Sequence, residues 1–353
     1  MVRAVPHVIR HRLDDTKLQV IADSEAGLEA FAAIEKSVMR SFRRHGGWPH
    51  KQVNLFVFET LRPLVDRIRA ASSAAHAKAQ AEARAEAGRH IEELDRKPMV
   101  HVYNLADPAE CSIFVNRRQM IRLGLWDDKL ALEALLAHEH AHPLAENPTT
   151  RAARGLKASI GVKALPAGLG AGQDKQLCQS LERIVDELCL HAPHEVFANE
   201  LAVRAGFGEA LFHLDRISLI AGRAGLAERA ALEAKLRAEA KAGRLSEAGV
   251  ALTLLMASME AHIRMALESA AFARAGETAR VLALDALLEK EVFQHVEPEI
   301  GALYRDFFSR YAALKPDLER EAVRAWMTAS CTPLLDVLGA AIAMLADAVA
   351  VWP

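Results

Sequence analysis

Aromatic residues are scarce in this 353-residue chain, at 5% against 51% hydrophobic residues overall. The core must therefore be built largely from aliphatic and alanine side chains, a mixture that favours helix. Cysteine is sparser still. Cys111, Cys178, Cys189 and Cys331 show no C-x-x-C spacing, which excludes a zinc ribbon and a disulfide framework and suits a reducing compartment. No charge of one sign dominates. A formal net charge of -2 and a pI near 6.7 supply no basic field for nucleic acid or an anionic membrane. Arg3, Arg10 and Arg12 stand near the N-terminus without an apolar run among them, so no signal peptide is expected and the location reads as cytoplasmic. Long hydrophobic runs are missing too. Leu334–Trp352 comes nearest, but Asp336 and Asp347 interrupt it. It reads as a buried C-terminal helix, and no integral membrane segment is expected.

What is present is mostly helical periodicity. Leu28, Phe31, Ile34 and Val38, then Val53, Phe56, Leu61 and Val65, fall at helical spacing on either side of Gly46, Gly47 and Pro49. Ala70 to Lys97 is Ala-rich and of mixed charge, as a solvated helix would be. After Pro98 three short β-rich stretches follow, 99–105, 112–115 and 120–123, with residues 116–119 as a hairpin loop. Next comes a helix with Asp127 or Asp128 as N-cap, Leu130, Leu132, Leu135 and Leu136 as apolar positions, and Pro143 as its stop. Helical periodicity returns at Leu177, Leu181, Ile184, Val185 and Leu188, a further helix follows Pro193, and everything after Phe207 reads as helix. The expected fold is therefore α+β and predominantly helical. Its parts are an N-terminal helical region (1–97), a central core (98–206) and a C-terminal helical region (207–353).

The chemistry lies in His138-Glu139-His140-Ala141-His142. His138 and His142 are four apart, so on a helix they share one face a turn apart. Two imidazoles so placed can hold one zinc ion, and Glu139 lies beside the open coordination position as the general base. Zinc needs a third protein donor. Glu146, Glu182, Glu187, His191, His194 and Glu195 are all open candidates.

The run from Ile113 through Met120-Ile121-Arg122-Leu123, Leu130 and Leu135-Leu136-Ala137 to His142 resembles the approach to the active helix in gluzincin metallopeptidases. The nearest shape is that of the Ste24 and HtpX relatives. Glu195-Val196-Phe197-Ala198-Asn199 resembles their Glu-x-x-Ala-Asp and the Glu-x-x-Ala-Asn of ImmA-type peptidases. Metzincins are excluded, because Ala145 and Pro148 stand where their Gly and His belong. The resemblance implies a zincin-like core from Pro98 to Gly206 and a small sheet whose edge strand holds an extended peptide. It also implies Zn²⁺ on His138, His142 and Glu195, with Asn199 hydrogen-bonding a ligating His. His191, His194, His213, His262, His295 and Tyr304 are candidates to hold the oxyanion.

Two other classes compete. A carboxylate-bridged di-iron bundle needs a second Glu-x-x-His, and Glu139-x-x-His142 is the only clear copy. A non-catalytic helical scaffold with a fortuitous HExxH is the stronger rival. The reading taken forward is a zinc metallopeptidase acting on peptide or protein substrates.

Overall fold

From Thr16 to Ala22 every second residue is buried while Lys17, Gln19 and Ile21 are more open, the period of a strand with one face on a core. In the computed structural model, which describes residues 6–25, 27–45, 47–61, 97–104, 107–158 and 173–350, this segment is β2 (Thr16–Ala22), paired antiparallel with β1 (His7–Leu13). Asp14 turns between them at φ 53°, a left-handed conformation that Asp tolerates. Helix α1 (Leu28–Arg44) follows, then β3 (Gln52–Phe58), β4 (Met99–Asn104) and β5 (Asp107–Asn116). The sheet runs β1-β2-β3-β5-β4. β3 is parallel to β2 and to β5, and β4 is antiparallel to β5 at an edge. A short helix α2 (Arg117–Arg122) leads to α3 (Lys129–Leu144), which carries the HExxH run. α1 packs on β2 and on α3, and α3 packs on β4.

The chain forms two compact units, Met1–Leu144 with Arg204–Leu214, and Ala145–Val203 with Asp215–Pro353. The first holds the sheet, α1, α2 and α3. α1 begins at Gly27, whose φ of 84° and whose neighbour Trp126, 3.2 Å from where a Cβ would stand, both favour glycine. Asp128 settles the N-cap alternative for α3: its Oδ1 accepts from Ala131 N at 3.0 Å and its Oδ2 meets His213 Nε2 at 2.7 Å. Burial raises the Asp128 pKa, but the His213 hydrogen bond and the Ala131 N–H outweigh it and hold it below the ordinary value. Asp128→Ala is expected to cost about 1 kcal/mol of stability by loss of the cap. In the wild type the Asp128 contribution is present above the normal carboxylate range and fades as pH falls through the depressed pKa. Denaturant melts at neutral and acid pH check both; equal midpoints for the two proteins at neutral pH would remove the cap from the account.

The second unit contains only helices among its described residues. They are α4 (Pro148–Arg154), α5 (Gln173–Val185), α6 (Ala192–Ala202), α7 (Gly208–Lys241, to Leu214 in the first unit), α8 (Glu247–His262), α9 (Ala266–Arg274), α10 (Thr278–Leu288), α11 (Pro298–Ala312) and α12 (Arg320–Ala350). A π-helical segment, Asp186–His191, joins α5 to α6 without a break. Tyr311 Oη donates to Leu188 O there at 2.6 Å, taking a carbonyl of a segment whose hydrogen bonds are re-spaced. Arg274 closes the end of α11. It donates to the carbonyls of Tyr311, Ala312 and Leu314, pairs with Glu200 at 2.7 Å and lies over the Phe197 ring.

The α+β, mostly helical expectation stands, with five local corrections. Residues 120–123 are not a strand and 116–119 not a hairpin loop: Asn116 Oδ1 caps Gln119 N at 3.3 Å and starts α2. The segment from Val53, read as helical, is the central strand β3. Its Val53, Leu55 and Val57 are buried at period two, and its mixed apolar run fits either period when read locally. β1 and β2 add two more strands to a region expected to be helical. Pro143 does not stop α3, which runs one residue further, and the chain does not break before Pro193 but enters α6 through the π segment. The Ala70–Lys97 stretch lies outside the described residues, save Lys97.

Leu334 and Leu338 of α12 are fully buried. Among the described residues one stretch, Gly249–Arg274, is long and apolar enough to cross a membrane, with a mean hydropathy of 1.3 over a window that is 56% buried. A core helix passes the same test.

Candidate metal centre

α3 places His138 and His142 one turn apart with their Nε2 atoms 3.0 Å from each other. The rings stand at 83° with centroids 4.5 Å apart. Two nitrogens on one zinc ion at about 2.0–2.1 Å each stand roughly 3.3 Å apart in a tetrahedral site, so the pair fits a shared cation. Glu139, 7% exposed, meets His101 of edge strand β4, whose Nδ1 bonds its Oε2. The His101 ring also stacks on His142, with centroids 4.3 Å apart and planes 22° apart. Burial pushes the Glu139 pKa up, yet the field of His101, its hydrogen bond, and the fields of His138 and His142 together hold it down to about 2. Glu139 is thus a carboxylate throughout the neutral range, the form that accepts protons. His101, Glu139 and His142 themselves bring one donor atom each within 4.8 Å of one another, so a metal ion could be held by groups of this unit.

The residue between the two motif histidines faces the opposite way. His140 is fully buried and its Nε2 bonds Glu35 Oε1 at 2.6 Å, with Glu35 also fully buried in the apolar stripe of α1. Burial lowers the His140 pKa, but the Glu35 charge and the neighbouring Cys111 reverse the sign and raise it to about 10. Trp48 and His50 lie against the same ring.

Glu195 and Asn199 belong to α6 of the second unit. Glu195 lines a cavity of about 180 Å³ with His191, His194, Arg154 and Asp186. Asn199 is buried and its Nδ2 donates to Glu268 Oε2 at 2.5 Å. Of the rival ligands, Glu146 pairs with Arg154 and lies 3.6 Å from His194; Glu182 is half-buried on α5, and Glu187 is exposed in the π segment. The oxyanion candidates are scattered. His213 is on Asp128, Tyr304 Oη lies 2.7 Å from both Ser269 Oγ and Asp285 Oδ1, and His191 and His295 are exposed. His262 is buried, and that burial, then Arg229, lowers its pKa.

The sequence reading missed His101 and Glu35. His101 lay inside a recognised strand with nothing marking its partner, since the partner is set by how α3 packs on β4. Glu35 carried a signal: with Leu28, Phe31, Val38 and Phe42 buried around it, it is a carboxylate in an apolar stripe, which needs a partner. Compared with protein families, curated proteins and solved structures, the chain matches none of them.

Proposed function

We propose that the chain is a zinc-dependent metallopeptidase of the gluzincin kind, its zincin-like core formed by the five-stranded sheet and α3. The observation that carries this reading is the convergence of the His138 and His142 Nε2 atoms at 3.0 Å beside the buried Glu139 carboxyl. His138 and His142 would hold zinc. Glu195 is the proposed third donor on the ground of its Glu-x-x-Ala-Asn context. When bound, the ion supplies Lewis acidity, lowering the pKa of water to about 7 and polarising a carbonyl.

The side chains of this chain do the proton work. Glu139 accepts a proton from the attacking water and returns it to the leaving nitrogen as the peptide bond breaks. His101 orients the Glu139 carboxylate from β4. Among the described residues β4 pairs with β5 alone, and its outer edge can align an extended substrate by backbone hydrogen bonds.

The test is metal content together with cleavage of an unstructured protein substrate, before and after chelation and zinc return. Stoichiometric zinc with chelator-sensitive cleavage supports the reading; neither metal nor cleavage at any zinc level returns the chain to a non-catalytic helical scaffold. Glu195→Ala is expected to lose this zinc and Glu182→Ala to retain it; the reverse result moves the third ligand to Glu182. His101→Ala is expected to keep zinc and KM while lowering kcat by about 10–100-fold. Loss of the metal would instead make His101 a ligand.

A further inference from the structure

We propose that the core of the first unit holds a second, structural transition-metal site, made by His50, Cys111 and His140, with Glu35 fixing His140. One donor atom from each of the three lies within 4.8 Å of the other two. All are sealed from solvent: His50 is 1% exposed, and Cys111, His140 and Glu35 are 0%. They come from separate parts of the chain, the loop before β3, strand β5 and helix α3, with Glu35 on α1. That loop is pinned at both sides, because Lys51 N donates to Ala109 O at 2.7 Å, Lys51 O accepts from Lys17 N at 2.9 Å, and Thr16 Oγ1 donates to His50 O at 2.7 Å. His50 is therefore delivered to the core by backbone geometry.

The two nitrogens of His140 divide the work. Nε2 is committed to Glu35, the carboxylate–histidine arrangement that orients a ligating imidazole and fixes its tautomer. Nδ1 is buried and makes no hydrogen bond, which leaves it for a cation. A proton on His140 and a metal ion are the rival occupants, and both can leave the site electrically neutral. The proton form balances Glu35 against imidazolium. The metal form balances a divalent ion against the Glu35 carboxylate and a Cys111 thiolate, the His140 Nδ1 proton and the Cys111 thiol proton both being released to solvent on binding. The donor set favours the metal, since two imidazoles and a thiolate within reach of one another suit zinc or cobalt. Buried among four chain segments, the ion would act as a cross-link.

This site uses none of the residues proposed for hydrolysis, so its test is separable. Purified full-length protein is stripped and reloaded with cobalt(II) alone. The expected result is a thiolate-to-cobalt charge-transfer band in the near ultraviolet, which the imidazole–carboxylate site on His138 and His142 cannot produce. The band should survive His142→Ala and vanish, with one metal equivalent, in Cys111→Ala. A wild-type protein that takes up cobalt without the band, or takes up none, overturns the proposal even if the Cys111 variant does not fold. A band that persists in folded Cys111→Ala assigns the sulfur to another cysteine and overturns it as well.

Discussion

Glu139→Gln is expected to keep its zinc and to lose about 10²–10⁴-fold in kcat. The amide is nearly the size and shape of the carboxylate and retains an oxygen that can accept from His101, so packing around the 7% exposed side chain should survive. What disappears is the ability to take a proton. In the metal-free protein the wild-type group is a carboxylate, because His101, His138 and His142 outweigh its burial and hold its pKa down to about 2. Zinc per chain, kcat and KM measured together decide the matter. Full activity in the variant would remove Glu139 from the mechanism, and loss of zinc would make it a ligand.

The largest stability effect is expected at Glu35. Replacing it by Ala leaves His140 without its carboxylate at a site with no solvent, and breaking one side of such a pair costs about 3–5 kcal/mol. The measurement belongs in chelated protein, where the pair stands without metal. Glu35→Gln keeps an acceptor for His140 Nε2 and should lose less. Replacing both residues by Leu should recover much of the loss, since apolar groups of similar volume often serve such a site as well. Additive losses in that double variant would show that the two side chains do not act as a pair.

Much of this was legible before any coordinates. The i, i+4 histidines could only share a face once their segment was helical, and Leu132 and Leu136 with Asp127 or Asp128 as cap made it so. Helix α1 was legible for the same reason. β3 was not, because Val53–Phe58 presents apolar side chains at nearly every position and its strand state is set by β2 and β5 on either side. β1 and β2 escaped notice for a different reason. The alternation in Thr16–Ala22 is clean, but β1 exposes Val8 and interleaves His and Arg, as an edge strand can. The Glu35–His140 pair shows the deeper limit. His140 stood inside the motif and Glu35 was passed over in the apolar stripe of α1, and their meeting across 105 positions depends on how two helices pack.

The π segment at Asp186–His191 has a consequence for Glu195. A helix that spends one surplus residue on a widened turn arrives downstream rotated by about 100° from where regular winding would have brought it. Removing a single residue from the regular turns of α6 ahead of Glu195, with the widened turn kept, would swing the Glu195 carboxylate by about 100° around the helix axis, with every proposed donor still in the chain. The direction of that carboxylate is thus fixed by a count of residues as much as by its own identity. A shortened chain that folds yet cannot retain zinc would be the mark of it.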